Sequence, residues 1–171
     1  MILTKDIILK EIEANNLKIT PFNMDNLGPA SYDLTLASEF RVFRDFDANV
    51  ECRIDDSADY KKNSKLLNVE SGLVIMPGEL VLGISVEELH LPENICAWIQ
   101  GRSTFARLGL AVHITASFVQ PGVKNRQVFE IFNTNTMPLT LIPGIRIGQL
   151  IFERCEGAAF YTGKFNKQTL R

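Results

Sequence analysis

The stretch Gly101-Arg102-Ser103-Thr104-Phe105-Ala106-Arg107-Leu108-Gly109-Leu110 places two guanidinium groups and a serine hydroxyl between two glycines. Free N–H groups at the start of a short helical turn, flanked by arginines, suit a phosphate or carboxylate. Ser103 or Thr104 can cap that turn, and Gly109 can end it in the left-handed conformation. An ordinary capped turn, with its arginines paired to surface acids, fits the same residues.

A second candidate lies in Arg126-Gln127-Val128-Phe129-Glu130-Ile131-Phe132, where Glu130 stands among apolar neighbours. The pattern puts apolar residues on both faces of a strand and predicts a partly buried carboxylate. Burial disfavours a charged acid and a nearby arginine favours it. Such a group is a candidate general acid–base, or else one half of a structural ion pair with Arg102 or Arg107. His90 and His113 are the only histidines, and Cys52, Cys96 and Cys155 are odd in number and far apart. They suggest neither a zinc knuckle nor a disulfide framework. His113 reads as a core histidine with its hydrogen bonds satisfied, or as a residue that orients the site.

The elements that must carry these groups are mostly strands. Thr4 can cap a first helix with Ile7, Ile8 and Ile12 at helical spacing, ending near Asn15-Asn16. Strand-like alternation follows at Leu17 to Thr20, at Ala30 to Leu36, at Glu39 to Phe43 and at Leu80 to Val86. Pro77-Gly78, Pro121-Gly122 and Pro143-Gly144 punctuate β-rich segments as type II turns would. The charged stretch 45–65 is expected to be a surface loop without function, and Gly157 to Arg171 has the composition of a flexible basic arm that could close over an anion. Short strands, tight turns and one or two short helices predict a distorted, mostly β barrel.

The chain has 171 residues, is 46% hydrophobic and carries a formal charge of −2, which fits one globular domain spanning residues 1–171. That charge argues against a general nucleic-acid binder. The N-terminus turns polar within a few residues, so no membrane anchor or leader is expected and a cytoplasmic location is.

These residues together resemble the dCTP deaminases of the dUTPase-like superfamily. The resemblance covers nearly the whole chain: the opening helix, Ala30-Ser31-Tyr32-Asp33-Leu34, Met76-Pro77-Gly78-Glu79, Leu89-His90-Leu91-Pro92, the Gly101 to Leu110 stretch and Val112-His113-Ile114-Thr115-Ala116. Lys164 and Gln168 keep the family's spacing in the tail. The resemblance implies a dUTPase-like β-barrel, a homotrimer with active sites between subunits, and zinc-independent conversion of dCTP to dUTP and ammonia in deoxynucleotide synthesis. Arg102, Ser103 and Arg107 would then hold the triphosphate or the attacking water, with Ser103 and Arg107 assisting catalysis, and Glu130 would be the acid–base residue. Thr115 and the Ala116 backbone would face the base. Tyr161, Lys164 and Gln168 would close down within a C-terminal lid, 157–171, and Mg²⁺ would come bound to the triphosphate.

The departures cluster at the opposite wall. Gln120 stands where the family carries an aspartate that touches the sugar and, in dUTPases, activates water. Phe118 replaces a common arginine, and Val123 a common aromatic. Glutamine can still hydrogen-bond a sugar hydroxyl but cannot take a proton. A dUTP diphosphatase, a bifunctional deaminase and diphosphatase, and a nucleotide-binding homologue with impaired turnover are the alternatives.

Overall fold

The computed structural model describes residues 1–44, 52–166 and 168–171. The opening helix α1 (Lys5–Glu13) buries Ile8 and packs Ile7, Leu9 and Ile12 on the core. Thr4 takes the capping position, but its hydroxyl bonds the Asp6 carboxylate instead of a backbone N–H. The chain leaves the helix at Ala14, and Asn15 adopts a left-handed φ of 59°.

Among the described residues eleven strands follow: β1 (Lys18–Thr20), β2 (Tyr32–Val42), β3 (Lys65–Asn68), β4 (Leu73–Ile75), β5 (Leu80–His90), β6 (Ile95–Gly101), β7 (Leu110–Val112), β8 (Phe118–Val119), β9 (Lys124–Asn133), β10 (Leu139–Leu141) and β11 (Arg146–Arg154). A 3₁₀ turn at Met24–Asn26 precedes β2, and a second helix, α2 (Ser103–Ala106), sits between β6 and β7. The two strand segments expected at Ala30 to Leu36 and Glu39 to Phe43 are one continuous strand, whose Tyr32, Leu34 and Leu36 are fully buried. A register shift between Leu36 and Phe40 against β5 absorbs the break in alternation. Strand β5 runs past Val86 to His90 because buried Glu87 is satisfied there, accepting the Thr35 N–H at 2.9 Å.

The main sheet runs β7-β9-β5-β2-β11-β6-β8, with β1 added to β5 and β3 to β2, while β4 and β10 pair separately. It curls into a half-barrel of the dUTPase-like type, mostly β with two helices. Curling brings its two ends together: only residues 113–117 separate β7 at one end from β8 at the other. Gly101 is needed at this closure, since a Cβ there would lie 2.4 Å from the Val112 carbonyl oxygen. The core inside the curl centres on Tyr32, Phe40, Phe129 and Phe152, all fully buried. The three Pro-Gly turns lie where expected, with Gly78, Gly122 and Gly144 all at positive φ.

Of the charged stretch 45–65, residues 45–51 lie outside the described residues. From Cys52 to Ser64 the chain makes turns, and this part is not merely a solvated excursion. Buried Arg41 donates to the Ser64 carbonyl at 3.1 Å and to the Leu170 carbonyl at 2.6 Å, tying the stretch to the C-terminal segment.

Candidate active site

Where the ends of the sheet meet, a cavity of about 330 Å³ opens between β9, the 113–119 segment, the Pro121-Gly122 turn and the tail. A volume of that order accommodates a small ligand. Glu130, His113, Ala116, Phe118, Gln120, Tyr161 and Gln168 line it, together with apolar Leu82, Ile99, Val119, Val123 and Val128. Glu130 is the one acid in this lining, and the lining holds no lysine or arginine among the described residues.

Strand β9 alternates strictly, with Phe129 and Ile131 buried in the core and Val128, Glu130 and Phe132 on the other, partly open face. The sequence pattern placed apolar residues on both sides of Glu130. The structure sorts them, so that Glu130 points into the cavity with 24% of its side chain exposed. Pairing of Val112 with Ile131 puts the residues after β7 beside it. Thr115 then donates to Oε2 of Glu130 twice, from its backbone N–H at 2.8 Å and from its hydroxyl at 3.1 Å. Hydrogen bonds to a charged carboxylate are stronger than neutral ones and hold it in one orientation.

His113 does not have the satisfied environment expected of a core histidine. Its Nδ1 accepts the Glu130 backbone N–H at 3.1 Å, but its Nε2 is the one buried side-chain polar atom left without a hydrogen bond among the described residues. Burial pushes its pKa below the ordinary 6.5, although the nearby Glu130 charge pulls the other way.

The arginine-bearing turn is placed elsewhere. Helix α2 is a single turn with Arg102 at its capping position and no side-chain cap, so neither Ser103 nor Thr104 plays that part. Gly109 ends the turn at φ 77°, as its type predicts. Arg102 pairs with Asp33 at 3.3 Å and donates to the Arg146 carbonyl at 2.7 Å. Arg146 shares the same Asp33 carboxylate at 3.6 Å, leaving two guanidinium groups on one acid. Ser103 and Arg107 are exposed, and the Arg107 side chain forms no ion pair or hydrogen bond among the described residues. The ion pair from Glu130 to Arg102 or Arg107, the alternative to the acid–base reading, does not form within the subunit. None of Arg102, Ser103 and Arg107 lines the Glu130 cavity.

The tail divides. Tyr161 is half-buried against the core, its N–H donating to Pro121 at 3.1 Å, and Gln168 donates to the Arg126 carbonyl at 3.2 Å; both face the cavity. Lys164 turns away to the Ala58 carbonyl at 3.1 Å and lines an adjoining depression with Lys61, Lys62 and Gln168. Leu170 is fully buried against Leu82 and Ile84, so the end of the expected flexible arm is docked.

Sequence reasoning missed Tyr60, which reaches the cavity from the charged stretch under the Arg41 guanidinium, 5.8 Å from its ring centroid. It also missed Asp33 and Arg146 as the partners that position Arg102. No periodicity marks Tyr60. Asp33 lay on the polar face of a correctly read strand, and only the pairing of β2 with β11 brings it to Arg146.

Among the described residues no three His, Cys, Asp or Glu side chains stand together as a metal cage requires. No helix there is long and apolar enough to cross a membrane.

A family model described as dCTP deaminase-like matches residues 2–155. A dUMP-forming dCTP deaminase of a Nocardioides species is 35% identical over 177 residues, covering 98% of this chain and 91% of that protein. Another, from Corynebacterium glutamicum, is 36% identical over 152 residues, covering 88% and 79%. In fold the chain is similar to the 2'-deoxycytidine 5'-triphosphate deaminase from Agrobacterium tumefaciens, with a TM-score of 0.69 at 23% identity over 91% of this chain. It spans about half of that structure, 48%. A mutant dUTPase from phage phi11 of S. aureus shares the fold more distantly, with a TM-score of 0.53 at 11% identity over 86% of this chain and 96% of its own. On the family match and the identity to its relatives, the chain belongs to the dCTP deaminase-like family.

Proposed function

We propose that the protein is a cytoplasmic enzyme converting dCTP and water to dUTP and ammonia, with Glu130 as general base and then general acid. The observation that carries this reading is the asymmetry of the Glu130 carboxylate. Oε2 is held by both donors of Thr115, while among the described residues Oε1 takes no hydrogen bond and the cavity lining holds no other acid. Water loses a proton to Glu130 as its oxygen bonds C4 of the cytosine ring, and the proton passes to N3. The proton of the new hydroxyl then travels through Glu130 to the amino group, the C4–N bond breaks, and ammonia leaves a C4 carbonyl. Acid–base catalysis of this kind contributes roughly 10²–10⁴ in rate.

Among the described residues the lining offers no cation for a triphosphate, yet the chain keeps Arg102, Arg107 and Arg146 on another face. A second copy in a homotrimer completes the site by presenting its Arg102, Ser103 and Arg107 to the cavity. Thr115 and the Ala116 backbone face the base, Gln120 the sugar, and Tyr161, Lys164 and Gln168 close the lid once Lys164 leaves Ala58. Magnesium is carried on the triphosphate, since one carboxylate already held by Thr115 offers no cage for it. Glu130, His113 and Thr115 likewise lack the donor set that a zinc-activated water requires. Nothing in this chemistry calls for a nucleic acid or a membrane.

The curated relatives are dUMP-forming. In this chain Gln120 stands at the cavity wall as an amide, which cannot take a proton from a water attacking phosphorus. The proposed product is therefore dUTP. Incubation with dCTP and Mg²⁺, with products resolved by chromatography, tests both parts. Accumulating dUTP supports the reading, accumulating dUMP replaces it with the bifunctional one, and unchanged dCTP despite saturable binding overturns turnover altogether.

A further inference from the structure

His113 is gripped by the residue it faces. Its Nδ1 accepts the backbone N–H of Glu130 at 3.1 Å, and its Nε2 lies 3.7 Å from Oε2 of the same residue. The imidazole is 4% exposed, and its other polar neighbour, the Ala116 backbone, lies outside hydrogen-bonding geometry. An Nδ1 that accepts cannot carry a proton, so a neutral ring must carry its proton on Nε2. Burial favours that neutral ring.

We propose that His113 is the positioning residue for Glu130, its Nε2–H completing with Thr115 a set of donors on Oε2 so that every proton Glu130 exchanges is carried on Oε1. The gap of 3.7 Å closes with a small rotation of the carboxylate, which already sits against Thr115. Both the Thr115 N–H and the His113 Nε2–H can only donate. A protonated Oε2 would point its hydrogen at two donors, whereas a protonated Oε1 keeps every bond and faces the cavity. The pairing of β7 with β9 imposes the arrangement, because it sets His113 beside the backbone and the side chain of one residue at once. An acid of fixed orientation and fixed protonation site needs no reorganisation between taking a proton and giving it up.

This inference rests on the deaminase reading for its kinetic test, and a second readout is independent of it. The two amide replacements separate the ring nitrogens: His113→Asn keeps an acceptor near the Nδ1 position and loses the Nε2 donor, and His113→Gln does the reverse. The loss of one hydrogen bond to a charged group corresponds to roughly a tenfold to hundredfold change. H113N is expected to lose that much in kcat with KM little changed, and H113Q to recover to within about tenfold of the parent. The opposite order, or two variants as active as the parent, overturns the proposal. In the unliganded protein, ¹⁵N-detected imidazole spectra are expected to show the Nε2–H tautomer of His113, with resonances that shift in E130Q. An Nδ1–H tautomer or an imidazolium at neutral pH contradicts it even if the protein never turns over dCTP.

Discussion

Around Glu130 the backbone N–H and one carboxylate oxygen are held by groups of the same subunit, whereas Ser103 and Arg107 are exposed with no side-chain partner among the described residues. Both regions come from short segments beside β7, yet one is closed and the other open. Under the proposed function, the difference follows from what each would do. A group that moves protons must be held in one orientation, and that requires donors fixed by the same fold. Cations that meet a mobile polyanion must stay unpaired until it arrives, because a guanidinium already matched to a carboxylate has little left to give. Arg102 and Arg146 approach this limit from the other side, sharing one Asp33 and so keeping net positive charge.

Breaking the closed region is expected to cost most. Glu130→Gln keeps the shape and the Thr115 donors but cannot take a proton, and kcat for dCTP is expected to fall by roughly 10²–10⁴, measured by ammonia release. Retention of more than a tenth of the activity would show that the acid is structural. Opening the other region further costs less. Arg107→Ala removes a charge-assisted contact and is expected to raise KM about tenfold to hundredfold while leaving thermal stability unchanged, since its side chain has no partner among the described residues. A loss of stability in place of affinity would move Arg107 into the closed class.

The tail offers a smaller test. Leu170→Ala empties a fully buried site against Leu82 and Ile84, where such truncations cost about 2–5 kcal/mol locally. Limited proteolysis is expected to cut the variant near Leu170 faster than the parent, with KM rising a few-fold; equal cutting would mean that the docked segment adds nothing to closure. The smallest effect concerns pH. The folded pKa of His113 lies below 6.5, so the unfolded chain binds more protons as pH falls through that value, and stability declines toward acid. Urea midpoints at about pH 7.5 and 5.5 are expected to differ less in H113Q than in the parent.

Much of this was readable in the residues. The turns at Pro77-Gly78, Pro121-Gly122 and Pro143-Gly144, the buried face of Tyr32, Leu34 and Leu36, and the left-handed Gly109 closing the turn after α2 follow from local conformational preference and period, and the structure places them so. Glu130 stood out as an acid among apolar residues, although the strict alternation of β9 shows that only one face is core. What stayed hidden depends on register and long-range pairing. The union of two strand segments into β2, the meeting of Asp33 with Arg146, and the arrival of Tyr60 at the cavity have no periodic signature. The environment of His113 was equally hidden, because its unsatisfied nitrogen depends on how β7 and β9 align.

The division between a closed and an open region is tested most directly by mixing two impaired variants. Glu130→Gln and Arg107→Ala proteins, each assayed alone with dCTP and Mg²⁺ below the KM of the latter variant, are expected to show little turnover. Dissociated and reassembled together in equal amounts, random trimers would carry intact pairings of Glu130 from one subunit with Arg107 from its neighbour at about a quarter of their sites, and activity is expected to rise to about that fraction of the parent's. Activity no greater than the average of the two separate variants would contradict a site shared between subunits.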